Sequence, residues 1–134
     1  MPVSYLVDTD CVIQHFRKVH RVTTRLNELW PRGLNLSIIS LAELWEGVHY
    51  SKDPDTSRAE LEQFLLLVSV IPVTGEICRR FGALRGELRK GGKLVADFDL
   101  LIAATALESD LTLLSNNRRH FQNIPGLRLE SLTL

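Results

Sequence analysis

Tyr5-Leu-Val-Asp-Thr-Asp-Cys-Val-Ile13 decides how the rest of the chain is read. An apolar run enters at Val3, is broken by Asp8 and Asp10, and resumes as apolar residues at helical spacing. That pattern predicts a buried strand whose carboxyl end delivers Asp8 into a crevice. In open α/β sheets, ligands bind beyond the carboxyl ends of the strands, where the strand order reverses. A carboxylate there is costly to bury unless it is paired or binds a metal. The remaining question is which other residues the fold brings beside Asp8.

A chain of 134 residues suits one domain around one core. With 45% apolar and 24% charged residues, it has the make-up of an ordinary globular protein. Its 16 basic and 16 acidic side chains cancel, which excludes a protein that grips nucleic acid by bulk charge. Cys11 and Cys78 form no CxxC pair, and both read as buried apolar thiols in a reducing cytosol. The start lacks a signal-peptide pattern, and the longest apolar run, Phe64 to Val73, is too short to span a bilayer. The expectation is a cytoplasmic protein without a membrane anchor.

Outward from the first strand, Val3 to Val7, a short helix is expected over Cys11 to Lys18. A second runs from Val22 to Pro31, broken by Pro31-Arg32-Gly33. Leu34 to Ile39 reads as the second strand. Ser40 with Glu43 has capping-box spacing, so a helix over Leu41 to Tyr50 follows. Ser51 to Thr56 reads as a loop, Arg58 to Leu67 as a helix and Val68 to Val73 as the third strand. Thr74 caps a long helix, Glu76 to Arg89, stopped at Gly91-Gly92. Ala96 to Glu108 is a central helix, Leu111 to Ser115 the fourth strand, and Leu127 to Leu132 an edge strand. Strands alternating with helices imply an α/β fold: three layers, α/β/α, with a parallel sheet of four to five strands.

Asp8, Glu43 and Asp99 occupy similar junctions between strands and helices, and in a right-handed parallel sheet such points can converge. Three carboxylates in one place repel unless a divalent ion neutralises them, and oxygen-only ligands favour Mg²⁺ or Mn²⁺. Singly, each has a structural alternative. Glu43 completes a capping box, Asp99 suits a helix dipole, and Asp8 is a helix cap.

Leu6-Val-Asp-Thr-Asp-Cys-Val-Ile13, Ser40-Leu-Ala-Glu-Leu44, Asp99-Leu-Leu-Ile-Ala-Ala104 and Leu113-Leu-Ser-Asn-Asn117, in that order, resemble the four motifs of PIN-domain nucleases. Phe121 and Ile124-Pro-Gly-Leu127 are similar to the tail of the VapC-type toxins. The resemblance covers nearly the whole chain and implies one PIN domain over 1–134, with strand order 3-2-1-4-5. It implies Mg²⁺- or Mn²⁺-dependent RNA cleavage by a metal-activated water, without a Ser or Cys nucleophile. It also implies a cognate antitoxin partner and a homodimer. Asp8, Glu43 and Asp99 match the family's metal-binding acids. Asn117 matches the fourth acidic position but brings no charge, and Ser115 matches a Thr or Ser near the site. Thr9 is expected to hydrogen-bond locally, Asp97 to cap its helix rather than ligate, and Asp10 to cap or support the site.

Arg79, Arg80, Arg85, Arg89, Lys90 and Lys93 make the long helix basic, and Arg118, Arg119 and His120 form a second cluster. They read either as a solvated face or as phosphate contacts along RNA, with Arg85, Arg89, Arg118 and Arg119 the candidates. His15, His20, His49 and His120 show no ligand spacing. Trp30, Trp45, Phe16 and the leucines of 58–67 read as core or as a partner's groove. Two rival readings remain. One is a phosphatase resembling the haloacid dehalogenase superfamily, with Asp8 as nucleophile and Asp10 as acid/base on a D-x-D-x-V start. The other is a non-catalytic binding module on the same fold.

Overall fold

The computed structural model describes residues 4–132. Val3, the expected start of the first strand, lies outside them. Five strands form one sheet: β1 (Tyr5–Val7), β2 (Leu34–Ser37), β3 (Ser69–Ile71), β4 (Thr112–Leu114) and β5 (Leu129–Glu130). Their order is β3-β2-β1-β4-β5, and every neighbouring pair is parallel. The chain moves outward from β1 to β3 and then returns to the other side of β1. The reversal therefore lies between β1 and β4, and a crevice at their carboxyl ends follows from the topology.

Seven helices cover the sheet: α1 (Thr9–Phe16), α2 (His20–Leu29), α3 (Ile38–His49), α4 (Pro54–Leu65), α5 (Gly75–Lys90), α6 (Asp97–Glu108) and α7 (Arg118–Phe121). Successive side chains of a strand point to opposite faces, and β1 divides two cores in this way. Tyr5 and Val7 pack with Val12, Leu26, Leu44 and Leu61 on one face. Leu6 packs with Ile77, Leu84, Leu100, Ile102 and Phe121 on the other. β1 is buried on both faces, so its sequence is continuously apolar rather than alternating. The central helix α6 is also buried on most sides, as its run of Leu, Ile and Ala requires.

Several boundaries differ from expectation. α3 begins at Ile38, capped by Ser37, whose Oγ accepts the Ile39 N–H at 3.1 Å. Ser40 is therefore no cap but a buried residue inside the helix. α4 begins at Pro54 rather than Arg58. Asp53 caps it and Pro54 fills the first turn, a position that needs no N–H donor. α1 starts two residues earlier than expected, because Asp8 itself is the cap. α2 ends at Leu29, and Trp30–Arg32 continues as a turn of 3-10 helix before Gly33, whose φ of 99° ends it. Thr74 caps α5 as expected. Cys11 is buried, but Cys78 is exposed. Leu44 and Val48 belong to the core, whereas Trp30 and Leu66 are exposed. No helix among the described residues is long and apolar enough to cross a membrane.

Candidate active site

The first carboxylate is placed by a helix cap. Asp8 follows β1, and its Oδ1 accepts the Thr9 N–H at 2.9 Å. Its backbone N–H donates to the Leu114 carbonyl at 2.9 Å, prolonging the ladder to β4. Its Oδ2 accepts from the Ser115 hydroxyl at 2.7 Å. The residue is 2% exposed. Burial, and then the charge of Asp10, push its carboxyl well above the usual range, against the two hydrogen bonds.

Glu43 reaches the same place from α3. The Thr9 hydroxyl donates to Glu43 Oε1 at 2.7 Å and lies 2.9 Å from the Ser40 oxygen. The Thr9 hydroxyl thus bridges α1 to α3 while its N–H bonds locally to Asp8, and Ser40 serves this bridge. Burial raises the Glu43 pKa, the Thr9 hydrogen bond opposes that, and the charge of Asp99 raises it further.

Asp99 comes from the first turn of α6. Its Oδ2 lies 3.0 Å from His120 Nδ1, on α7. Burial raises the Asp99 pKa, His120 lowers it, and Asp10 raises it. Asp8, Thr9, Asp10, Glu43, Asp99, Asn117 and His120 line one cleft of about 510 Å³ at the carboxyl ends of β1 and β4. A larger groove of about 910 Å³, between α4 and the α1–α2 junction, lacks these converging carboxylates.

Other candidates are placed more plainly. Ser115 is buried directly after β4. Its oxygen accepts the Asn117 N–H at 3.0 Å while its proton goes to Asp8. Asp97 is the first residue of α6 rather than its cap, and it pairs with Arg85. Arg85 also donates to the Val95 carbonyl at 2.8 Å and lies over the Phe81 ring, so its guanidinium is turned to protein. Arg89, Arg118 and Arg119 are exposed. Sequence reasoning placed His120 in a basic cluster but not beside Asp99, which it meets through the packing of α7 on α6.

The donors suit a hard divalent cation: they are carboxylate and amide oxygens. Asp10 Oδ1 is buried without a hydrogen-bond partner, and burial raises the pKa of Asp8, Glu43 and Asp99. Among the described residues, no three His, Cys, Asp or Glu side chains stand as a ready ion-binding set. Glu43 is turned to Thr9 and Asp99 to His120. Asp8, Glu43 and Asp99 therefore share one cleft without closing into a ligand set.

The fold and this cleft define a class: a three-layer α/β domain with a parallel sheet and an acidic site at its switch point. A family model described as "PIN domain" matches residues 5–127. The chain is 33% identical over 130 residues to "Ribonuclease VapC2" of Haemophilus influenzae, covering 96% of this chain and 98% of that protein. It is 30% identical over 129 residues to "tRNA(fMet)-specific endonuclease VapC" of Salmonella typhimurium, covering 96% and 97%. The VapBC2 complex of Rickettsia felis, solved on a fragment of its promoter DNA, contains a chain that matches with a TM-score of 0.92 at 30% identity. That match covers 98% of this chain and all of the other. This chain belongs to the PIN domain family, in its VapC group. That membership sets aside the phosphatase reading of Asp8 and Asp10.

Proposed function

We propose that this protein is a divalent-metal-dependent endoribonuclease, using Mg²⁺ or Mn²⁺, and the toxin of a toxin–antitoxin pair. The observation that carries the reading is the shared cleft, which gathers Asp8, Glu43 and Asp99 from three distant parts of the chain. The names of the full-length relatives, ribonucleases and a tRNA endonuclease, support it. Asp8, Glu43 and Asp99 would hold the ion. When bound, the ion supplies Lewis-acid polarisation of a phosphoryl oxygen and activation of water.

The chain's own residues prepare for that chemistry. Ser115 and the Thr9 N–H fix the Asp8 carboxylate from both sides. The Thr9 hydroxyl aims Glu43, and His120 aims Asp99. Asn117 brings an uncharged amide to the cleft wall, able to hydrogen-bond a substrate oxygen without adding to the negative charge. Exposed Arg89, Arg118 and Arg119 supply phosphate contacts that position RNA without reading its sequence. Arg85 is withdrawn from that role by Asp97 and Val95.

We further assign the protein a protein antitoxin, a homodimeric state and the cytoplasm as its place of action. The antitoxin assignment is supported by structures of related VapBC complexes. The function is tested by incubating the purified chain with cellular RNA and Mg²⁺ or Mn²⁺. Cleavage should vanish with EDTA and in Asp99→Asn. Undiminished cleavage under either condition ends the proposal.

A further inference from the structure

Of the apolar side chains of α6, Leu100, Ile102, Ala103, Ala104 and Ala106 are fully buried, and Leu101 and Leu107 are half-buried. Phe98 alone among them is exposed. It is 52% exposed, and it joins neither hydrophobic core. Burying an aromatic ring is favourable, so leaving this one out forgoes part of that gain. Scattered exposed apolar residues are ordinary, but the position of this one is not. Of the large apolar side chains exposed among the described residues, only Phe98 lines the acidic cleft.

The chemistry of the cleft narrows what the ring can hold. Asp8, Asp10, Glu43, Asp97 and Asp99 line the same cleft, and in the ribonuclease reading the acids engage the scissile phosphate through a bound ion. A neutral aromatic face gains its hold from the base instead. Stacking on a side-chain ring is open to any unpaired base, because every base has a π-face. Phe98 and Asp99 line the same cleft, so a base lying on the ring belongs to a nucleotide near the scissile phosphate.

We propose that Phe98 is a base-stacking residue that seats an unpaired nucleotide beside the cut. This rests on the ribonuclease reading and adds a substrate-binding role outside the acidic set. The ring is a ledge at the cleft mouth: it holds the base out of its own stack while the backbone enters among the carboxylates.

The test uses the full chain with Mn²⁺. The cut site is first mapped in cellular RNA. A short synthetic RNA spanning it is then made with the flanking base either present or replaced by an abasic nucleotide. Phe98→Ala should lower kcat/KM by about fivefold or more, chiefly through KM, and Phe98→Trp should restore it. The abasic substrate should impose a similar loss on the unaltered protein and add little to Phe98→Ala. Thermal melting of both variants should match the parent, because the ring lies outside the cores.

Phe98→Ala activity within about twofold of the parent, well below the stacking range, overturns the proposal, as does a full abasic penalty in both proteins. Unchanged RNA cleavage, with escape from inhibition by the protein encoded in the adjacent reading frame, also overturns it by making the ring a protein contact. An unaltered protein that cuts no RNA defeats the ribonuclease reading itself. One that cuts normally while Phe98→Ala is indifferent defeats only the stacking role.

Discussion

Ser115 donates to Asp8 across 107 residues of sequence, at 2.7 Å, and in doing so ties the ends of the two central strands together. The Ser115 oxygen also accepts the Asn117 N–H, so one hydroxyl orients both the deepest acid and the loop that carries Asn117. Ser115→Ala leaves Asp8 Oδ2 without its donor and the Asn117 N–H without its acceptor. A buried group left unpaired costs about 1–3 kcal/mol. Supporting residues around a metal site are typically worth about 10–100-fold in affinity. Calorimetric titration of Ser115→Ala with Mn²⁺ should show weakening in that range, with a lower Tm. Unchanged affinity would mean that Asp8 needs no help to stay oriented.

Thr9→Val keeps the shape of the side chain and removes the hydroxyl that joins α1 to α3. Glu43 then loses its partner at 2.7 Å, and the Ser40 hydroxyl, inside a buried helix face, loses its partner at 2.9 Å. Stability should fall by about 1–3 kcal/mol. RNA cleavage should fall further than a stability loss of that size explains, because Glu43 is freed to rotate. Thr9→Ser, which keeps the hydroxyl, should recover both. Equal cleavage by the Val and Ser variants would disprove the bridging role.

The basic residues should divide into two kinds. Arg85 is 17% exposed and committed to Asp97 and the Val95 carbonyl, so it fixes the segment that leads into Asp99. Arg118 and Arg119 are exposed beside the cleft. Each phosphate of single-stranded RNA that a side chain neutralises adds about 0.7 to the salt slope of binding. The double change Arg118→Ala with Arg119→Ala should therefore lower that slope by about 1.4, while Arg85→Met leaves it unchanged. Hydrogen exchange over 91–97 should instead speed up in Arg85→Met. A salt slope that drops in Arg85→Met would return it to the RNA-binding set.

The parts of the fold and the site legible from sequence are those governed by local rules. Asp8 announces itself because it interrupts an apolar strand, and Thr74 because it precedes a helical repeat. Capping is legible only in kind. Ser37 and Ser40 have equal chemistry, and the choice between them depends on where β2 stops pairing, which the neighbouring strands set. Asp53-Pro54 carries a readable start signal for α4, but the apolar spacing that marks the helix begins later and masks it. His120 and the long reach of Thr9 are illegible for a different reason. Each depends on which helices pack together, and no spacing along the chain encodes that. The sheet order follows from resemblance rather than from any local pattern.

The last strand is held by charge as well as by pairing. Arg25 Nε donates to Glu130 Oε2 at 2.7 Å, and the Tyr5 hydroxyl donates to Glu130 Oε1 at 3.0 Å, fastening β5 to α2 and β1. The Arg25 hydrogen bond, assisted by Tyr5 and opposed by burial, holds the Glu130 carboxyl below its ordinary range. The folded state therefore binds this proton less readily than the unfolded chain. The stabilisation is fully present above the ordinary glutamate pKa and is lost as pH falls through the lower folded value. Glu130→Gln should cost about 1 kcal/mol at pH 7. The gap between parent and variant should close as the medium is acidified below the ordinary glutamate range. Urea melts of the two proteins across that interval provide the measurement. A gap that persists at the acid end would assign the loss to altered packing rather than to the ion pair.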